Sequence, residues 1–420
     1  MLYDPYAEFG SRRLPNGLSV HAAHWPNRPW EAVGFLIHSG AEQDPAGLEG
    51  LAHLTEHLVS QNAGRTKKEI RSFFEGCGGT VGLGRTSFSR TEFNFFAPAD
   101  KGLLAEAFAI FGRMLIVAEL TRSVDQEKTI VVGEFNRHYP NRIGLELDWR
   151  ERSALYGDCW LGRFVRPLGA PPSIERIAQS DLRSFYDGHY APANMSVVAV
   201  GGMTPDEIIE LIAQSPFAEN KPGTRTPLPE PTTSSPLPSE KRHVFVASER
   251  IAIGFSSDAG AYRSVARIPG IVDLYAIRAL GRMLGEILTD EVRERRRWTY
   301  HIASVPYNYR HFCELAINCD ALAANAVDEI EETVDACIGQ AIDREDVFEK
   351  VKKRSLASML MLDPTGREIR NRAIGELSDH GRIIPLGEER RAIEDLSMDD
   401  IRAVIPWIHR ERRWTLVTRP

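Results

Sequence analysis

The chain has 420 residues, of which 43% are hydrophobic and 26% charged, with a net charge of −7. That is enough apolar material for two or more globular cores, and the acidic balance gives no basis for a nucleic-acid partner. No apolar run is long enough to span a bilayer, and Met1–Tyr6 lacks the basic and apolar regions of a signal peptide. Five cysteines, an odd number without C-x-x-C spacing, fit reduced packed thiols, so a cytoplasmic protein is expected.

In chain order, Arg12-Arg13-Leu14 and Leu18-Ser19-Val20 flank Pro15-Asn16-Gly17, which predicts a β-hairpin. Residues 30–38 read as a strand. Residues 48–61 place Leu51, Leu54 and Leu58 at a helical period, with Gly64 predicted to close the helix. A second helix is predicted over 67–75, a strand over 91–97, helices over 102–117 and 124–138, and a short helix over 181–189 before Pro192. Gly76-Cys77-Gly78-Gly79 follows a helix and lacks a nearby Lys-Ser/Thr, so it is not a phosphate loop. Strands and helices mixed in this way predict an α+β fold, each domain a mostly antiparallel sheet packed with helices.

The first long helix carries His53-Leu54-Thr55-Glu56-His57. Residues four apart share a helix face, so both imidazoles can bind one Zn²⁺, and Glu56 lies near that face as a candidate general base. The order is the reverse of the H-E-x-x-H zinc helix and reads as an inverzincin-type hydrolase site. A catalytic zinc usually takes three protein ligands, and the helix over 124–138 offers Glu127 and Glu134 on one face.

The chain also repeats itself. Ser173-Ile174-Glu175-Arg176 through Asp181-Leu182-Arg183 recurs as Ala392-Ile393-Glu394-Asp395 through Asp400-Ile401-Arg402, an offset of 219 residues. The same offset carries the apolar run Val197–Val200 onto Leu416–Arg419. Two tandem homologous domains are therefore expected. Shifting the zinc motif by the offset lands on residues 272–276, which hold no His. The expected division is 1–217 for a zinc-bearing catalytic domain and 244–420 for a non-catalytic, substrate-binding domain. Residues 218–243, rich in Pro, Ser and Thr, form an extended linker between them.

Several landmarks occur in an order that resembles the pitrilysin/insulinase-type zinc metallopeptidases, in the short branch that includes mitochondrial processing peptidase and its bacterial relatives. They are His53-x-x-Glu56-His57, Glu127 and Glu134 on a later helix, Gly79 through Thr86 with Thr91, Pro167-Leu168-Gly169, Tyr190-Ala191-Pro192-Ala193-Asn194, and Arg293-Glu294 followed by Tyr300. The resemblance implies one zinc per chain, held by His53, His57 and Glu134. It implies Glu56 as the general base and Glu127 as a carboxylate supporting the site. Leu83, Gly84, Arg85 and Thr86 would form a substrate-pairing edge strand, and Arg293 and Tyr300 would contact the substrate backbone. The implied activity is hydrolysis of short or unfolded peptides in an enclosed chamber. A homodimer is expected, with pairing to a related unlike chain as the alternative. Leu83 and Gly84 stand where the family commonly has Asn-Ala, and Arg297-Trp298 where it commonly has Gly-Leu. These departures concern specificity, and Arg85 adds a cation suited to an acidic or carboxylate-ended substrate. They also keep two other readings open: a non-catalytic scaffold subunit, and a narrow hydrolase of a peptide-like metabolite.

Overall fold

The computed structural model describes residues 4–61, 64–120, 124–140, 142–157, 159–245 and 260–419. Its contacts divide the chain into two compact units.

The first unit comprises residues 1–138, 166–228 and 363–386. Its strands are β1 (Gly10–Arg13), β2 (Ser19–His24), β3 (Trp30–Ile37), β4 (Thr80–Thr86), β5 (Thr91–Pro98) and β6 (Met195–Gly201), in the sheet order β1-β2-β6-β3-β5-β4. Only β2 and β6 run parallel; the other pairings are antiparallel. The predicted hairpin forms, with Gly17 in the left-handed region at φ 88° and Leu14 N–H bonded to the Leu18 carbonyl. Strand β5 alternates buried and half-buried residues, the mark of a sheet with one face in a core. Phe93 and Phe95 from β5 join Phe35, Phe74, Phe108, Phe111 and Phe217 in one aromatic cluster, where Phe35 stacks on Phe217 at 5.0 Å. Helices α1 (Leu51–Val59), α2 (Lys67–Gly76), α3 (Lys101–Leu115), α4 (Val124–His138), α6 (Pro171–Arg176), α7 (Gln179–His189) and α8 (Pro205–Ala213) complete this unit's first stretches, together with α12 (Gly366–His380) from far along the chain. Helix α12 puts Ala373, Ile374 and Leu377 on Leu36 and Val198. This explains why β3 and β6 are buried almost throughout instead of alternating.

The second unit comprises residues 139–165, 229–362 and 387–420. Among the described residues its sheet has the order β7 (Arg242–Phe245), β11 (Arg413–Thr418), β8 (Gly260–Pro269), β10 (Phe312–Leu322) and β9 (His301–Asn308). Here too one pair, β7 and β11, is parallel and the rest antiparallel. Its helices are α5 (Arg142–Tyr156), α9 (Leu274–Leu288), α10 (Ile330–Ala341), α11 (Glu345–Leu360), α13 (Leu386–Asp395) and α14 (Met398–Val404). Helix α5 is anchored by polar pairs: Glu151 accepts two bonds from Arg263, at 2.6 and 2.8 Å, and Glu314 accepts from Arg152 and from the Tyr156 hydroxyl.

The duplication is thus visible in both sheets: β2-β6-β3-β5-β4 and β7-β11-β8-β10-β9 have the same order and the same single parallel pair. The repeated segment is α6-α7-β6 in one copy and α13-α14-β11 in the other. Residues 219–241 contain no helix or strand, as their proline content dictates. The compact units also trade helices: α5 comes from the first half of the chain but packs in the second unit, and α12 does the reverse. A division at 217 and 243 follows the linker and does not capture that exchange.

Candidate active site

Helix α1 is shorter than its apolar period suggests. It spans Leu51–Val59, and Leu48 sits in a turn. Gly50 is the reason: at φ 103° it is in the left-handed region and cannot continue a helix backward. Its first turn is capped from outside, since Asp44 accepts from the N–H groups of Gly50 at 2.7 Å and Ala52 at 2.8 Å. At the other end Ser60 is the cap residue, and Gly64, which also has a positive φ, lies beyond the helix end. This short rigid helix buries His53 and Glu56 and leaves His57 half-buried.

Helix α4 packs beside α1 and supplies Glu127 and Glu134. Glu134 Oε2 lies 3.9 Å from His53 Nε2 and 3.7 Å from His57 Nε2. The three ligand atoms lie within 4.8 Å of one another, and among the described residues this is the cluster able to hold a metal ion. Tetrahedral zinc with ligands at about 2.1 Å requires ligand spacings of about 3.4 Å, so Glu134 needs to close on each histidine by only a few tenths of an ångström. Burial holds both imidazoles in the neutral form that binds metal, pushing His53 down to about 3 and His57 below its ordinary value. Glu127 is not placed as a ligand. Its Oε2 lies 3.3 Å from His57 Nδ1, so it accepts a hydrogen bond there and frees Nε2 for the metal; its other oxygen accepts from Gln61. The residues therefore fit a zinc ion.

Glu56 faces the same space, with Oε2 at 3.9 Å from His53 Nε2. Burial pushes its carboxyl up to about 8, opposed by the Lys67 charge and a 3.2 Å hydrogen bond from Thr86 Oγ1, while Glu134 adds to the rise. Thr86 is on β4, the edge of the six-stranded sheet. Strand β4 carries a bulge: Gly82 pairs with Asn94 and Arg85 with Glu92, leaving Leu83 and Gly84 opposite one partner. Leu83 turns into the core. Gly84, at φ 138°, lies against the Glu56 side chain so closely that a Cβ there would be 2.0 Å from Oε1. Arg85 is solvent-facing beside Glu92. All four edge-strand residues, with His53, Glu56, His57 and Glu134, line one cavity of about 400 Å³.

Arg293 and Tyr300 belong to the second unit. Arg293 lies in a wider-wound stretch, Thr289–Arg295, half-exposed and paired with Glu294 at 3.4 Å; Tyr300 is 87% exposed. Trp298 packs on the second core with the Arg296 guanidinium 4.5 Å above its ring, and Arg297 holds a positive φ of 56°. The second unit's counterpart of α1, helix α9 between β8 and β9, contains no histidine. Sequence reasoning missed Asp44, the contact between Gly84 and Glu56, and Lys67. Of these only Asp44 left a trace, an acidic residue just ahead of a helix start.

A family profile described as insulinase (peptidase family M16) matches residues 20–140, and one described as peptidase M16 inactive domain matches residues 176–355. The chain belongs to this M16 family of peptidases. It is 22% identical over 414 residues to an uncharacterized zinc protease of Mycobacterium tuberculosis, covering 96% of this chain and 91% of that one. It is 24% identical over 243 residues to the mitochondrial-processing peptidase subunit beta of Saccharomyces cerevisiae, covering 57% of this chain and 49% of that one. The fold matches a protease from Helicobacter pylori along the full length of both chains, with a TM-score of 0.79 and 19% identity. No helix among the described residues is long and apolar enough to cross a membrane.

Proposed function

We propose that the chain is a zinc-dependent peptidase acting on short or unfolded peptides, with His53, His57 and Glu134 as ligands and Glu56 as general base. The carrying observation is the convergence of these four side chains on one cavity walled by a free sheet edge. When bound, zinc supplies Lewis acidity toward water and a peptide carbonyl. Glu127 fixes the His57 ring through Nδ1. Thr86 and the bare Cα of Gly84 fix the Glu56 carboxyl. Glu56 takes the proton of the attacking water and returns it to the leaving amine. An extended peptide pairs with the open edge of β4, which offers backbone N–H and C=O groups; a folded protein does not present such a strand. Arg293 and the solvent-exposed Tyr300 are the further residues that contact the substrate backbone. Among the described residues the second unit shows no second cluster able to hold a metal ion. The working form is a homodimer in the cytoplasm, with one zinc per chain.

The test is cleavage of unfolded peptides by the purified chain, with and without a chelator, alongside its metal content. Chelator-sensitive cleavage that is lost in Glu56→Gln at unchanged zinc content supports the reading. A chain that holds no zinc, or cleavage that survives in Glu56→Gln, refutes it and leaves the scaffold subunit as the better account.

A further inference from the structure

The cavity around the zinc ligands is lined by more positive than negative side chains, although the chain as a whole carries −7. Lys67, Arg71, Arg85 and Arg166 line it, against the carboxylates Glu56 and Glu134. Both carboxylates are already engaged, Glu134 beside the two histidines and Glu56 with Thr86. Lys67 and Arg71 are one turn apart on α2 and therefore share a face. Neither side chain has a hydrogen-bond or ion-pair partner among the described residues. Lys67 and Arg71 line the same cavity as His53, Glu56 and His57, which puts them beside the point of cleavage. Arg85 stands on the edge strand itself, loosely held by Glu92 at 3.5 Å and mostly solvent-exposed. Lys67 and Arg71, without a partner among the described residues, and the loosely held Arg85 are suited to pairing with anionic groups of a ligand.

We propose that Lys67 and Arg71, with Arg85, are specificity determinants that select peptides carrying a carboxylate next to the scissile bond. This rests on the peptidase reading of the same cavity. The carboxylate has two sources, an Asp or Glu side chain within the peptide or the free C-terminus of a short one. Lys67 and Arg71 on α2 and Arg85 on β4 approach the bound strand from different elements, so they grip an acid on either side of it. A basic residue at the same position meets like charge and is rejected.

The experiment uses the full chain loaded with zinc and one fluorogenic peptide made in three forms, with Glu, Gln or Lys beside the cleaved bond. Each form is made with a free and an amidated C-terminus. Cleavage is measured as kcat/KM. Binding is measured separately by fluorescence anisotropy on zinc-loaded Glu56→Gln, at low and high salt. The expected order is Glu over Gln over Lys in both readouts, with about a tenfold gap between Glu and Gln that narrows as salt rises. In Lys67→Gln/Arg71→Gln the Glu-to-Gln ratio falls to about twofold or less, whereas a merely structural role lowers all three peptides together. A preference that follows the free C-terminus assigns the grip to a chain end, and one that persists in amidated peptides assigns it to a side chain. Equal binding of the three peptides, or the Lys peptide bound best, overturns the proposal. If nothing is cleaved, the peptidase reading falls while the binding order still decides this one.

Discussion

Gly84→Ala isolates the step that positions the general base. Two costs follow from the structure. At φ 138° an L-residue is strained, which costs about 1–3 kcal/mol. The new Cβ also falls 2.0 Å from Glu56 Oε1 and 2.4 Å from its Cδ, so the carboxyl must move by an ångström or more. Its three nearest contacts are all atoms of Glu56, so His53, His57 and Glu134 keep their places and zinc stays bound. A misplacement of this size costs about 100-fold in rate, and complete loss of the base costs up to about 10⁴-fold. The expected result is kcat down about 100-fold or more, zinc content unchanged, and Tm lower by a few degrees. Gly82→Ala is the control on the same strand: its Cβ meets the Asn94 side-chain amide, which can yield, and its φ is ordinary, so activity should stay near the wild-type level. The assay is kcat on an unfolded peptide with metal content measured on the same sample. Gly84→Ala retaining zinc and full kcat would refute the claim that this glycine holds Glu56 in place.

Glu127→Gln keeps the shape but weakens the acceptor at His57 Nδ1, and should lower zinc affinity about 10- to 100-fold in a chelator competition. Asp44→Ala uncovers the buried first turn of α1 and should cost about 1–2 kcal/mol in urea unfolding. Arg370→Met removes the bond from α12 to the Phe95 carbonyl, 3.1 Å in a buried setting, and should cost about 1–3 kcal/mol, read in the same way. Glu31 is buried, accepts one bond from Met203 N–H, and has its other oxygen without a partner among the described residues; burial pushes its carboxyl up to about 8. A carboxyl raised above its unfolded value of 4.5 contributes stability that is complete below pH 4.5 and lost progressively up to pH 8. Unfolding free energy should therefore fall between pH 5 and 8 by on the order of 2–4 kcal/mol more in wild type than in Glu31→Gln, and equal slopes would count against a neutral Glu31.

What was legible in the sequence follows from how local each cause is. The hairpin at Asn16-Gly17, strand β5 with its alternation, and helix α4 at Val124–His138 come from short-range backbone and burial preferences, and they appear where expected. The i, i+4 spacing of His53 and His57 is equally local, so both imidazoles could be placed on one helix face before any tertiary contact was known. The duplication was legible because two copies must satisfy the same packing around α6-α7-β6 and α13-α14-β11. The exchange of α5 and α12 between the units was not, because an amphipathic helix does not say which sheet it will cover. Nor was the charge balance of the cavity, since Lys67, Arg85 and Arg166 lie on separate elements that meet only when the sheet edge folds beside α1 and α2. Gly84 shows the same limit at one residue. Read in the sequence, it is a small residue where a family strand commonly has alanine. Its meaning is a distance, to a carboxylate twenty-eight residues earlier in the chain. A mechanism that needs an acid held within an ångström of its working place therefore depends on a position whose only chemistry is the absence of a side chain.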